Sequence, residues 1–185
     1  MQSKKLPLLT TFVCAALAMS MMIGCDGSDE ADTSSNAGGA STASLPAGLF
    51  LAAAPAGPVT VQQLKTQAQA GDEVTMRVVV GGEVSVFIPG RAIMKVVDAE
   101  IKNLCLDMGD SCKTPWDYCC ETTDNLKLYR ATIKVVDAQG ETIRADLKGA
   151  SQVKELTTMV IKGVVAQGSD KNNLVVNAQG IYVEN

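Results

Sequence analysis

Between residues 74 and 183 hydrophobic and polar positions mostly alternate. Val74, Met76, Val78 and Val80 take turns with Thr75, Arg77 and Val79, the two-residue period of a strand with one buried face. Gly81-Gly82 marks a bulge or sharp bend before Val84, Val86 and Ile88, and Pro89-Gly90 reads as a turn. The same texture predicts strands over 92–101, 128–137, 142–147, 157–166 and 174–183. Ala138-Gln139-Gly140 would join the 128–137 and 142–147 strands as a hairpin, and the polar run 169–173 would join the last two. Residues 151–156, between the hairpins, have room for one or two helical turns. Ahead of the strands the period is helical. Val61, Leu64 and Ala68 share a face, Thr60 and Gln63 have capping-box spacing, and the pattern predicts a helix over 61–70 that ends at Gly71.

Element order, strand lengths and the bent first strand resemble an OB-fold. The likeness is to exported bacterial OB domains that open with a short helix and a Gly-Asp-Glu-Val lead into the first strand. It covers about 60–184 apart from an insertion, and implies an all-β, five- to six-stranded antiparallel barrel of small α content. The alternative is another small antiparallel barrel or sandwich. One local repeat, residues 92–99 against 131–138, matches at six of eight positions (Ala-Ile-Met-Lys-Val-Val-Asp-Ala and Ala-Thr-Ile-Lys-Val-Val-Asp-Ala). It reflects either a duplicated strand pair or two segments that solve one edge problem alike, and does not define two domains.

Residues 1–24 have the grammar of an export signal: Lys4 and Lys5, an apolar body from Leu6 to Ile23, then a small residue. Pro7, Thr10, Thr11 and Ser20 interrupt the body, which falls short of the ~20 apolar positions of a spanning helix. Met22-Ile23-Gly24-Cys25 resembles the lipobox of bacterial lipoproteins. That resemblance implies diacylglyceryl transfer to the Cys25 thiol, cleavage between Gly24 and Cys25, and acylation of the freed amine. Two or three acyl chains, at about 0.8 kcal/mol per buried methylene, anchor a protein stably. An uncleaved anchor or a signal cut elsewhere would also export the domain. Residues 25–58 follow as lipidated cysteine and flexible linker, rich in Gly, Ser, Ala and Asp. A chain of that length spans about 30 Å root-mean-square. Leu49, Phe50 and Leu51 interrupt it, and the plain expectation is a sticky patch in a disordered segment. The β domain then occupies 59–185, with its Cys-rich insertion at about 101–127. The expected location is exported and lipid-anchored, with inner and outer membrane both open.

Charge and composition narrow the chemistry. Without residues 1–24, which hold two lysines and no acid, 14 basic residues face 20 acidic ones, so nucleic acid is a disfavoured partner. The chain has no histidine, which excludes Ser-His-Asp and Cys-His catalysis, imidazole metal sites and histidine-linked haem. The expectation is a protein that is not an enzyme and uses no cofactor.

The insertion carries Cys105, Cys112, Cys119 and Cys120. In an exported protein they read first as two disulfides, each loop closure contributing about 3 kcal/mol. Adjacent Cα atoms sit about 3.8 Å apart, too close for a Cys119–Cys120 bond. Cys105 then pairs with Cys119 and Cys112 with Cys120, or the reverse. A four-thiolate metal or redox site is the alternative, although the spacing lacks the two-residue gaps of zinc ribbons and contains no Cys-x-x-Cys. Asp107, Asp110, Asp117, Glu121 and Asp124 read as solvated loop charge, without the spacing of a calcium loop. Pro115-Trp116-Asp117-Tyr118-Cys119-Cys120 resembles a motif of uncharacterised exported bacterial lipoproteins, a resemblance that implies no activity.

In an OB-like domain the insertion would emerge between the first and second core strands, beside the ligand face. Trp116 and Tyr118 then become candidate binding residues, the competing role being for Trp116 to pack on the disulfides and cap a barrel end. Arg130, Lys134 and Arg144 on the middle hairpin are further candidates by fold analogy. Three functions follow: a membrane-tethered, non-catalytic binding or scaffolding module for an envelope protein or polysaccharide; a thiol-dependent metal or redox protein; and an oligonucleotide or oligosaccharide binder.

Overall fold

The computed structural model describes residues 44–107 and 112–184. The export signal, Cys25 and the linker up to residue 43 lie outside the described residues. Among the described residues no helix is long and apolar enough to cross a membrane.

Five strands close an OB-fold-like barrel in the order β1-β2-β3-β5-β4, with β4 returning to β1. They are β1 (Glu73–Val80), β2 (Ile93–Asp98), β3 (Arg130–Lys134), β4 (Thr158–Val165) and β5 (Leu174–Val183). Helical content is small: α1 (Val61–Gln67), α2 (Leu104–Asp107), α3 (Thr123–Tyr129) and two 3-10 turns. The predicted alternation is the barrel's inside and outside. Val74, Met76, Val78 and Val80 all point into a core with Met94, Ile133, Met159, Ile161, Val176 and Ile181. Closure leaves β1 no free edge, because it pairs with both β2 and β4.

The capping box at α1 forms as predicted. Gln63 N donates to Thr60 Oγ1 and Thr60 N donates to Gln63 Oε1, each at 3.1 Å. The helix is shorter than its periodicity suggests and stops at Gln67. Ala68 turns extended, and Gln69 N bonds Asp72 Oδ2 at 2.8 Å to lead the chain into β1. Buried Asp98, at the end of β2, accepts from Val61 N at 2.6 Å and so fixes the start of α1 on the barrel.

Four expectations need correction. First, the barrel is not wholly antiparallel: β3 and β5 run parallel, because the connection after β3 reaches β4 and the β4–β5 hairpin brings β5 back beside β3. Second, 84–88 and 142–147 are not ladder strands. Each makes one bridge, Phe87 with Met94 and Val136 with Thr142. Ile143, Ala145 and Leu147 nonetheless bury in alternation, so the 142–147 pattern records core contact without strand pairing.

Third, Leu49-Phe50-Leu51 is not a loose patch. Ile181 N donates to Leu49 O at 2.7 Å and Leu51 N to Ile181 O at 2.8 Å, and Leu49 enters the core. The physical reason is an unused edge. β3 pairs only with Leu174 to Asn177 of β5, leaving the rest of that side for residues 49–51. Gly180 makes room, since a Cβ there would lie 2.8 Å from Leu51 Cδ1. Fourth, the insertion leaves the barrel between β2 and β3, not between the first two strands.

The repeated segments are antiparallel neighbours, with Met94 opposite Ile133 and Val96 opposite Ala131. Each ends in the same aspartate turn: Asp98 Oδ1 accepts from Glu100 N at 3.0 Å, and Asp137 Oδ1 from Gln139 N at 2.9 Å.

Candidate functional site

The insertion folds back over the outer face of β1 and β2. A 3-10 turn over Pro115–Asp117 is held by Asn103 Nδ2 on Pro115 O at 2.7 Å. Thr122 caps α3 by accepting from Asn125 N at 3.2 Å. Trp116 packs its ring against the core and donates Nε1–H to Val84 O at 3.0 Å. Gly82 N in turn donates to Trp116 O at 2.8 Å. Tyr118 takes a left-handed backbone, φ 57°, which drops its ring onto Val97 and Leu126. Only 3% of Tyr118 is exposed, and burial pushes its phenol up to about 12, with a hydrogen bond to Asn103 opposing.

Two sequence signals that look separate are therefore one feature. Gly81-Gly82 is a bend, and it is also the seat of the Trp116–Tyr118 turn: a Cβ on Gly81 would lie 2.7 Å from Trp116 O and 2.8 Å from Tyr118 Cε2. Tyr118 as a displayed recognition residue is corrected by its burial. Trp116 is half-buried against the core, with its indole N–H committed to Val84 O.

Beside this turn the four thiols gather with no S–S bond among the described residues. Cys105 Sγ lies 3.1 Å from Cys120 Sγ and 3.3 Å from Cys119 Sγ, and Cys112 Sγ lies 3.6 Å from Cys119 Sγ. Cys105 is buried, Cys112 half-buried, and Cys119 and Cys120 are exposed. Their titrations are linked. The contact with Cys120, aided by Cys119, holds the Cys105 thiol below its ordinary value against the opposing effect of burial. The same contact with Cys105 pushes the Cys119 and Cys120 thiols up. Once ionised, Cys105 is thus the thiolate that accepts from its neighbours. Sγ of Cys105, Cys112 and Cys119 and a carboxylate oxygen of Asp117 lie within 4.8 Å of one another, a donor set matched to a soft divalent ion. Asp117 also accepts from Thr114 Oγ1 at 2.9 Å and from Cys119 N at 2.8 Å.

The three predicted basic residues form no common patch. Arg130 donates to Gly82 O at 3.2 Å and pairs with Glu83 at 3.1 Å, so its charge is held at the glycine bend. Lys134 ends β3. Arg144 lies outside the ladder, in a hollow with Arg91, Asp137 and Glu141. Tyr118 and Leu126 pack together on Val97.

A separate concavity lies elsewhere. A cleft of about 920 Å³ opens beneath the connection from β3 to β4, lined by Lys148, Val153, Glu155, Thr158, Val183 and Glu184 among others. Two of its lining residues, Gln152 and Leu156, have left-handed backbone at φ 68° and 64°. Lys148 spans its rim to Glu155 at 2.6 Å. Sequence reasoning missed this site because positive φ at Gln152 and Leu156 leaves no compositional mark, unlike a glycine. No family model matches the chain, and searches of curated proteins and of solved structures find no match.

Proposed function

We propose that the protein is a lipid-anchored bacterial lipoprotein acting as a non-catalytic binding or scaffolding module in the cell envelope. Met22-Ile23-Gly24-Cys25 and the basic, apolar leader before it support export and acylation. A barrel filled by its own side chains leaves its exterior for partners. The binding part of the reading is carried by the 920 Å³ cleft. Its volume is in the range of small-ligand sites, and non-glycine residues in left-handed conformations tend to gather where backbone is shaped for a ligand. The partner is an envelope protein or polysaccharide. The excess of acidic groups supports neither nucleic acid nor any polyanion.

The test is a pulldown from detergent-solubilised envelope with the intact lipidated protein, beside a Thr158→Trp variant that fills the cleft. A protein or glycan retained by the wild type and lost with the variant supports the reading. An envelope that yields no retained component to either protein refutes it.

A further inference from the structure

We infer that the loop sulfurs close as two disulfides, Cys105–Cys120 and Cys112–Cys119, with the second the more readily reduced. This deepens the export reading, on which the occurrence of the bonds in the cell rests. The sulfur geometry chooses between the two connectivities. Cys105 has its shortest contact, 3.1 Å, with Cys120, and the contact of Cys112 at 3.6 Å is with Cys119. Joining Cys105 to Cys119 instead, across 3.3 Å, would take from Cys112 both sulfurs it neighbours, Cys105 and Cys119, and leave the shortest contact unused.

Accessibility orders the chemistry. Cys105, 1% exposed, is out of reach of an external oxidant, whereas Cys119 and Cys120 are exposed. An oxidising disulfide RSSR is therefore attacked by the exposed Cys120, whose thiol proton passes to the Cys105 thiolate 3.1 Å away; a mixed disulfide forms and one RS⁻ is released, which takes that proton from Cys105 and leaves as RSH. The Cys105 thiolate then attacks Cys120 Sγ, makes the Cys105–Cys120 bond and expels the second RS⁻. Two protons and two electrons leave the pair and RSSR becomes two RSH. Cys112 and Cys119 repeat the exchange with a second equivalent. The Cys105–Cys120 bond has one sulfur inside the fold; both sulfurs of Cys112–Cys119 are at least partly open to reductant.

The experiment uses the full chain with Cys14→Ser and Cys25→Ser, reduced and then oxidised with glutathione disulfide. Graded reduction, alkylation at each step and fragment sequencing assign each sulfur. The expected order is labelling of Cys112 and Cys119 first and of Cys105 and Cys120 later. In a Cys112→Ser variant the thiol left free should be Cys119. Finding Cys120 free there, or Cys105 bonded to Cys119 in the parent chain, overturns the pairing. So do four thiols that resist oxidation, with or without stoichiometric zinc. Cell fractionation is a separate readout: a cytosolic chain that gives this pairing in vitro refutes export and leaves the sulfur geometry standing, and an exported chain with another pairing does the reverse.

Discussion

Gly81 and Trp116 meet backbone to backbone: a Cβ on the glycine would lie 2.7 Å from the tryptophan carbonyl oxygen. The contact joins the end of β1 to the middle of the insertion, so the bend and the Pro-Trp-Asp-Tyr-Cys-Cys turn stand or fall together. Gly81→Ala should destabilise the domain by about 1–3 kcal/mol through overpacking against atoms that cannot swing away. Urea unfolding measures this, and a loss under about 0.5 kcal/mol would mean that the turn is not seated there.

Leu49 provides an independent check on where the folded domain begins. It is 2% exposed although it lies in a stretch of linker composition. Leu49→Ala should cost about 2–5 kcal/mol, as core truncations do. No change in the unfolding midpoint would return residues 49–51 to the tether.

Lys65 gives the domain a pH signature. Burial first, then the Arg130 charge, lower its pKa from 10.5 to about 8, while Asp170 opposes. Its ammonium donates to the Lys127 carbonyl oxygen. Below pH 8 the folded and unfolded states both hold the proton. Between about 8 and 10.5 the folded amine has lost it and the unfolded one has not, so stability should rise with pH, by about 1 kcal/mol per unit at the steepest. Tyr118, raised from 10 to about 12, acts oppositely above pH 10, where the unfolded phenol ionises first. Unfolding of the oxidised protein should therefore be hardest near pH 10, and Lys65→Met should abolish the rise. An identical slope in the variant would place the titration elsewhere.

Arg77 and Glu184 form a two-point pair, Nε to Oε1 at 2.9 Å and Nη2 to Oε2 at 2.6 Å, that ties the end of β5 to β1. Arg77 is 48% exposed at its side chain, so a double-mutant cycle with Arg77→Ala and Glu184→Ala should give a coupling of about 1 kcal/mol or less, shrinking at high salt. A coupling that survives 1 M salt unchanged would contradict a screened surface pair.

The barrel was legible wherever burial has a period. Val74 to Val80 and the 157–183 hairpin read directly as strands, and Thr60 with Gln63 announced the start of α1. Less legible was anything set by contact across the chain. Residues 142–147 alternate like a strand because every second side chain buries in the core, yet they lack a ladder partner. Leu49 is hidden in linker composition because its partner is an edge of β5 vacated by the shortness of β3. At the site, the grouping of four cysteines was visible, whereas the ordering of their contacts depends on how α2 and the Pro115–Asp117 turn approach each other. Spacing alone does not contain that information.

Cys25 is the residue on which the proposed membrane anchoring rests. Mass spectrometry of the chain recovered from a membrane fraction of its own cells should show a mature polypeptide that begins at residue 25, carries diacylglyceryl on sulfur, and leaves the membrane when Cys25→Ala is introduced. A soluble cytosolic chain with an unmodified Cys25 and an intact leader would contradict it.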